Sequence, residues 1–501
     1  MPAIPSPYDT APYPNLAFSQ THPDRLAVLA TLFGMNPPAI ERCRVLELAC
    51  GDGSNLLPMA YGLPGSEFVG VDLATKPVAL AQRRIRRIGL INIRVEAMDL
   101  MEIGPRFGKF DYIIAHGVYA WVPEAVQAKI LAICSANLSA NGVAFVSYNT
   151  NPAGHVRRIL REMVQFHESR VGHLENRVKC SREFLEAILD ATDAGSPWKL
   201  LFQEELKSNF GRDEKVVFHD DLTECFLPAS FGDFAERAAK CGLQYLCEAP
   251  LSEVMGLELG EAAHVVLKNL AHGDAIAHQQ YLDFARYRRF RQSLLCHANL
   301  QLRHDGLLDY LGKLLVASPM TTSAKGDDGE MQFTNSRGLG TLETNNPLII
   351  AALRRLEEIW PRGESFDALT AVILQSVPAA QRVEVLASLK QAVLQLAPNG
   401  LADLRTCNPP FANGVTEKPK ASALARMMVE ECGVATTLLH THVNFEDDAG
   451  RKFLHILDGT QDWYGLANAL AGDFPNESPE SVLNHVKEHL VKFHRLGLLV
   501  A

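Results

Sequence analysis

The sequence predicts an α/β fold: an open parallel sheet covered by helices, followed by a mostly helical second half. Three observations predict it. Val45-Leu46-Glu47-Leu48-Ala49-Cys50-Gly51-Asp52-Gly53-Ser54-Asn55 reads as a buried strand, a glycine turn and a helix start. Across residues 44–148, short apolar runs alternate with helical patterns, the rhythm of parallel strands joined by crossover helices. At 231–248 an amphipathic helix, a glycine stop and a strand-like run repeat that rhythm.

Taken in order, residues 1–22 are rich in Pro and Tyr and are read as an extended lid folded over a ligand. Thr21 is expected to cap the next helix, with Pro23 in its first turn and Leu26, Leu29 and Leu32 on one face to Phe33. The first strand ends at Leu48. Gly51 and Gly53 allow a tight turn and close approach to a ligand, and Ser54 is placed to cap the next helix, Ser54–Tyr61, which Pro58 interrupts. Phe68-Val69-Gly70-Val71-Asp72 is the second strand. Its terminal acid lies about 20 residues past the glycines, where a ribose-binding acid belongs in open α/β sheets.

Helix Lys76–Ile88 carries Arg83, Arg84, Arg86 and Arg87, read as a solvated face. Strand three ends near Glu96, before Asp99. Phe110–Ala115 is strand four, Pro123–Asn137 a covering helix and Gly142–Tyr148 strand five. Residues 153–217 are helical and charged, an insertion suited to substrate docking or dimerisation. His219-Asp220-Asp221 is read as a loop. Phe231–Cys241 and Gly242–Glu248 are expected to return to the sheet, so that 218–250 completes it. Gln280–Phe284 and Phe290–Leu295 are read as one arginine-dense helical segment, and the Ser/Thr/Gly-rich stretch 318–346 as a mobile linker. Beyond it lie helices Pro347–Ile359 and Phe366–Leu396, the second broken before Pro378. A Pro-rich break spans 400–420, and a helix–turn–helix end is expected to form a small winged-helix-like module suited to protein contact. His485-Val486-Lys487-Glu488-His489 matches a zinc pattern, but lacks a third ligand in the few residues that remain, so no metal is assigned.

The totals narrow the function classes. A chain of 501 residues predicts two to four domains, and 47% hydrophobic with 21% charged residues is ordinary for a soluble globular protein. A net charge of -10 argues against broad nucleic-acid or acidic-membrane binding. Ten scattered cysteines with no C-x-x-C pair suggest reduced thiols and a cytoplasmic location. No basic-then-apolar leader and no long apolar run is found, so membrane insertion is not expected.

The ends of strands four and five are the expected seat of chemistry. His116-Gly117-Val118-Tyr119-Ala120-Trp121 follows strand four, and Tyr148-Asn149-Thr150-Asn151-Pro152 closes strand five. Tyr119, Trp121 and Tyr148 are candidates to line a substrate channel there, since aromatic faces attract cations; the alternative is that Trp121 and Tyr148 pack the core.

A glycine turn with an acid closing each of the next two strands resembles the class I S-adenosylmethionine-dependent methyltransferases, whose core is Rossmann-like. The resemblance implies S-adenosyl-L-methionine as cofactor and S-adenosylhomocysteine as product. It puts Glu47 under the methionine end, Gly51 and Gly53 against the cofactor, Asp72 on the ribose hydroxyls and Asp99 at the adenine amino group. Tyr13, Ala49, Asn55, Leu73, Leu100 and His116 complete the implied cofactor contacts. His116, Tyr119, Trp121 and Tyr148 are the implied catalytic group. Ala49 stands where the family's loop usually has its first glycine.

Four segments together resemble the bacterial methyltransferases that carry a methyltransferase regulatory domain: "SQTHPDRL", "LELACGDGSN", "HGVYAWVP" and "QYLDF" with the following "FRQSLL". The best-known members are rickettsial-type protein lysine methyltransferases of outer-membrane proteins. On that resemblance, 1–152 is the cofactor-binding core with its lid, 153–217 the helical insertion, 218–317 the regulatory domain and 347–501 the C-terminal module. The expected acceptor is a protein lysine. Tyr148 to His155 departs from the lysine enzymes' Tyr-Asn-x-x-Pro-Gly-Trp after Pro152. A small molecule or another side chain therefore stays open as acceptor, as does a non-enzymatic regulator that binds the cofactor. A homodimer is a further expectation.

Overall fold

The computed structural model describes residue 13 and residues 16–171, 176–257, 259–325 and 330–500. Most of the expected lid, residues 1–12, lies outside the described residues. The first helix, α1 (Pro23–Leu32), is capped by His22, whose side chain accepts from the Asp24 N–H, with Pro23 at its first position. Thr21, expected as the cap, instead directs its hydroxyl to the Phe18 carbonyl at 2.8 Å.

A seven-stranded sheet is built from β1 (Arg44–Leu48), β2 (Glu67–Asp72), β3 (Ile93–Ala97), β4 (Phe110–Ala115), β5 (Leu138–Asn149), β6 (Leu243–Glu248) and β7 (Phe290–His297), in the order β3-β2-β1-β4-β5-β7-β6. The first five strands run parallel; β7 runs antiparallel to both its neighbours. Alternate residues point to opposite faces of a strand. Val45, Phe68, Ile114 and Phe145 accordingly join one core with α1, α2 (Leu56–Gly62) and α3 (Thr75–Ile88). Leu46, Val71, Ile113 and Val146 join a second core with α4 (Glu124–Asn137). The strand order reverses between β1 and β4, so a crevice opens at their carboxyl ends.

Helices α5 (Ala153–Val171), α6 (Arg177–Ala191), α7 (Pro197–Glu205) and α8 (Glu214–Asp221), which runs past the expected insertion's end at 217, surround a separate small core that includes Leu160, Leu185 and Phe202. His219-Asp220-Asp221 is not the expected loop but the last turn of α8. Its acids are held by arginines, Asp221 by Arg157 at 2.7 Å and Asp220 by Arg212 at 2.6 Å. The chain returns through α9 (Phe231–Lys240) into β6, then α10 (Glu261–Ala271) and α11 (Ala275–Arg286) lead to β7.

Two further expectations are corrected here. Phe290–Leu295 is not helical: the helix stops at Arg286, Tyr287 turns left-handed at φ 49, and the segment enters the sheet between β5 and β6. Arg291, one of the arginines of that segment, is fully buried, neutralised by Asp283 at 2.7 Å and Glu248 at 2.8 Å. The stretch 318–346 is not a structureless linker. After the short β8 (Leu315–Ala317) it forms the antiparallel strands β9 (Met320–Lys325), β10 (Met331–Asn335) and β11 (Thr341–Thr344). Met331, Phe333 and Asn335 alternate inward along β10, a period of two that the Ser/Thr/Gly content obscures.

Helix α12 (Pro347–Ile359) packs over that sheet, β12 (Glu364–Ser365) pairs with β8, and α13 (Phe366–Leu374) and α14 (Arg382–Leu396) follow. Within the expected 400–420 break, β13 (Asp403–Arg405) also pairs with β8. The core under α1 runs on without interruption into Val316, Leu356, Phe366 and Met427, so the second half shares one hydrophobic interior with the sheet. The C-terminal module comprises α15 (Ala423–Cys432), the hairpin β14 (Val434–Thr436) and β15 (His442–Asn444), α16 (Asp448–Ile456), α17 (Trp463–Leu470) and α18 (Pro479–Arg495). Its own core contains Phe453, Leu466, Val486 and Phe493. No helix among the described residues is long and apolar enough to cross a membrane.

Candidate active site

The loop after β1 turns through three left-handed residues, Ala49 (φ 58), Gly51 (φ 55) and Gly53 (φ 73). At Gly53 the left-handed backbone demands glycine; an added Cβ would also meet the Leu57 Cδ1 at 2.2 Å, a side-chain end that can shift. Ala49 holds a conformation that costs an L-residue about 1–2 kcal/mol. The following helix begins at Leu56 rather than Ser54, and Pro58 sits in its first turn, where it breaks no helical hydrogen bond. Ser54 does not cap it; its hydroxyl accepts from Arg84 at 3.3 Å.

Asp72 closes β2 and bridges into the loop, accepting from the Gly51 N–H and the Ala74 N–H, both at 2.8 Å. Its neighbour Leu73 is 66% exposed at the crevice edge. Asp99 follows β3 exposed and accepts from the Met101 N–H at 2.9 Å, while Leu100 is buried beside it.

Under the loop lies a buried polar network. Glu47 sits in mid-sheet, 4% exposed, where every neighbouring residue of β1 is apolar. Its Oε1 accepts from Asn55 Nδ2 at 2.7 Å; among the described residues no partner reaches Oε2. Burial, with a smaller push from the carboxylates of Asp72 and Asp52, raises its pKa to about 8, although the Asn55 bond opposes the shift. A buried carboxyl oxygen without a partner is costly, and a ligand ammonium would relieve it. Asn55 is oriented by its surroundings. The backbone N–H of Phe18, which can only donate, lies 2.9 Å from Oδ1, so the amide NH2 faces Glu47. That NH2 also donates to the Thr21 hydroxyl at 3.0 Å. His440, from the hairpin of the C-terminal module, reaches Asn55 Oδ1 at 3.0 Å.

Beside this network His116 follows β4. The Gly117 N–H donates to Ser147 Oγ at 2.9 Å, and the same hydroxyl is hydrogen-bonded to His116 Nδ1 at 2.9 Å, which fixes the ring's orientation. Burial lowers its pKa to about 4. The rings of Phe18 (4.2 Å between centroids), Phe145 (5.7 Å) and Phe290 (6.3 Å) surround it.

The remaining aromatic candidates are deeper. Tyr119 and Tyr148 are buried and pack on Phe234 at 5.4 Å and 4.3 Å, and burial raises both phenol pKa values. Trp121 is half-buried, 4.9 Å from the Phe226 ring and under the Arg157 guanidinium. Tyr13 lies 5.6 Å from the His219 ring, against the insertion. Phe18, Ser147 and His440 were not singled out from the sequence. Ser147 lies within an otherwise apolar strand run, and nothing local to Thr437–His442 marks it as reaching the sheet.

Arg84 and Arg87 are not merely solvated. Arg84 bonds Asp52 and Glu431, each at 2.9 Å, and Arg87 pairs with Glu430 and Glu431, tying α3 to α15. Among the described residues no group of three or more His, Cys, Asp or Glu is placed to hold a metal.

A glycine turn at a parallel-sheet switch point, an acid at the end of β2 and a buried carboxyl with one oxygen unsatisfied fit a crevice for a nucleoside-bearing ligand with an ammonium group, and likeness to known proteins makes the chain a class I S-adenosylmethionine-dependent methyltransferase. Residues 45–142 match the family described as "Methyltransferase domain", and residues 213–297 the family described as "Predicted methyltransferase regulatory domain". An uncharacterized protein of Rickettsia prowazekii (strain Madrid E) is 31% identical over 484 residues, covering 93% of this chain and 86% of that protein. A second one from the same organism is 36% identical over 234 residues, covering 46% of this chain and 94% of the other. PKMT2 from Rickettsia typhi, solved in complex with AdoHcy, superposes with a TM-score of 0.85 at 28% identity, covering 98% of this chain and all of that one. The chain belongs to the class I methyltransferases that carry a methyltransferase regulatory domain, and its cofactor is S-adenosyl-L-methionine.

Proposed function

We propose that this protein methylates lysine side chains of bacterial proteins, outer-membrane proteins being the expected class, inside the cytoplasm. The observation that carries the reading is the likeness to PKMT2 from Rickettsia typhi, which runs the length of both chains rather than the methyltransferase core alone. It agrees with the resemblance to protein lysine methyltransferases read from the sequence.

S-adenosylmethionine, when bound, supplies a methyl group on a sulfonium to a nucleophile attacking in line. In this reading Asp72 holds the ribose hydroxyls, Asp99 meets the adenine amino group, and Leu73 and Leu100 flank the adenine. Ala49, Gly51 and Gly53 bring loop backbone against the cofactor. Glu47, held by Asn55, takes the amino group of the methionine end through its unpartnered Oε2. Tyr13 and His116 border the same pocket.

A lysine ammonium, with a free pKa of about 10.4, must shed its proton before it can attack. Entry into an apolar aromatic surround disfavours the charged form and delivers the neutral amine. Phe18, Phe145 and Phe290 supply that surround next to His116. In this reading no dedicated base is required: burial makes His116 a weak base, with its pKa lowered to about 4, and Tyr119 and Tyr148 are buried phenols whose pKa values are raised. In this reading His116, held by Ser147, orients groups beside it, Tyr119 and Tyr148 shape the floor below, and Trp121 borders the approach from the insertion. The insertion serves dimerisation or substrate docking.

The test is transfer of a labelled methyl from S-adenosylmethionine to candidate outer-membrane proteins, read by tandem mass spectrometry. Label on lysine ε-amines supports the reading. Label on a metabolite or another side chain, or tight cofactor binding with no transfer, replaces it.

A further inference from the structure

The crevice is completed by a residue almost four hundred positions downstream. The turn between β14 and β15 carries His440, which is 4% exposed and left-handed at φ 56, 5.1 Å from the ring of His22. Its Nε2 lies 3.0 Å from Asn55 Oδ1, and Asn55 Nδ2 lies 2.7 Å from Glu47 Oε1. Two residues on, His442 Nε2 sits 2.9 Å from both the N and O of Ala17, holding the strap that delivers the Phe18 N–H to the same Oδ1. Phe18 fixes Oδ1 as an acceptor, so His440 must donate through an Nε2–H. Burial keeps its ring neutral, in keeping with a single N–H donor. Asn55 is thus clamped from one side by the strap and from the other by the C-terminal hairpin, and in that orientation it can only donate to Glu47.

We propose that His440 is a positioning residue of the methyl-transfer site: acting through Asn55, it sets the Glu47 carboxyl toward the methionine end of the cofactor. The C-terminal module is then a structural part of the cofactor pocket. This rests on the assignment of Glu47 to the methionine end, and not on lysine being the acceptor. Two further contacts tie α15, which leads into the hairpin, to the sheet domain: the Ala423 N–H donates to the Tyr61 hydroxyl at 3.0 Å, and Glu431 engages Arg84.

The test uses side-chain reach. Gln places its amide nitrogen near the position of a histidine Nε2; Asn falls short of it, yet tolerates a left-handed backbone better than most residues. S-adenosylhomocysteine is titrated into the full-length chain by calorimetry. His440→Asn is expected to weaken binding by about fivefold to tenfold, as loss of one buried neutral hydrogen bond does, and His440→Gln to restore it to within about twofold of the parent. In the Glu47→Gln background the Asn–Gln difference is expected to shrink below about twofold, because the group being positioned is gone. With an acceptor in hand, His440→Asn raises the cofactor KM and leaves kcat within about twofold. The proposal is overturned if His440→Asn binds like the parent, if His440→Gln fails to rescue, or if the loss is the same with and without Glu47. Failure of label to reach lysine, with the affinity pattern intact, sinks the lysine reading and leaves this one standing.

Discussion

Replacing Glu47 by glutamine separates two effects that the structure joins in one side chain. In the cofactor-free protein burial raises this carboxyl from 4.5 to about 8, so the folded state keeps its proton while an unfolded chain at neutral pH releases it. A raised folded-state pKa contributes its full stability below the unfolded value, and that stability is lost as pH rises through the folded value. At about 1.4 kcal/mol per pH unit, the loss at pH 7 is about 3 kcal/mol, and it levels off above pH 8. Glutamine retains an oxygen to accept from Asn55 and has no proton to lose. Glu47→Gln is therefore expected to be the more stable protein without cofactor, with a Tm advantage of a few degrees at pH 8 that closes toward pH 4.5. Binding runs the other way. Loss of a charge-assisted hydrogen bond to the cofactor amino group costs about 1.5–3 kcal/mol, a drop of roughly tenfold to a hundredfold in affinity. Thermal unfolding against pH, paired with calorimetry using S-adenosylhomocysteine, reads both. A variant no more stable than the parent at pH 8, or one that binds as tightly, refutes the reasoning.

Ala49→Gly should relieve the left-handed strain at φ 58 and, net of the added chain entropy, raise stability by about 0.5–1 kcal/mol, measurable by denaturant titration. Arg84→Ala removes a mostly buried guanidinium shared by Asp52 and Glu431; it should speed amide exchange in α15, and its coupling to Glu431→Ala should reach about 0.5–3 kcal/mol in a double-mutant cycle. Since burial holds His116 near 4, its ring stays neutral above that value, and the rate profile of the parent between pH 5.5 and 7.5 should lack any inflection that His116→Asn removes.

The first five strands and the loop were readable because parallel strands buried on both faces are near-continuous apolar runs, and a charged residue inside one, as with Glu47, stands out. Two readings failed because a side chain's usual habit misled. Arg291 lies near the start of β7, and its charge hides a strand whose counter-ions come from Glu248 and Asp283, the first of them on another strand. The alternation along β10 is carried by Met331 and Phe333 within a Ser/Thr/Gly-rich stretch that resembles a linker. The places of Asp72 at the end of β2 and of Asp99 just past β3 were legible from the strand pattern. Asn55 reads locally as a helix start, whereas its partners Phe18, Thr21, Glu47 and His440 are set by tertiary packing. The role of Arg84 is likewise assigned by α15, more than three hundred residues away.

The reading stands or falls on whether the loop between β1 and α2, with Asp72 beside it, seats an adenosyl group. Calorimetric titration of S-adenosylhomocysteine into the full-length protein and into Asp72→Ala tests that directly. Saturable one-to-one binding by the parent, weakened at least tenfold by the substitution, is the expected result. No heat from the parent, or equal affinity in the two proteins, would contradict it.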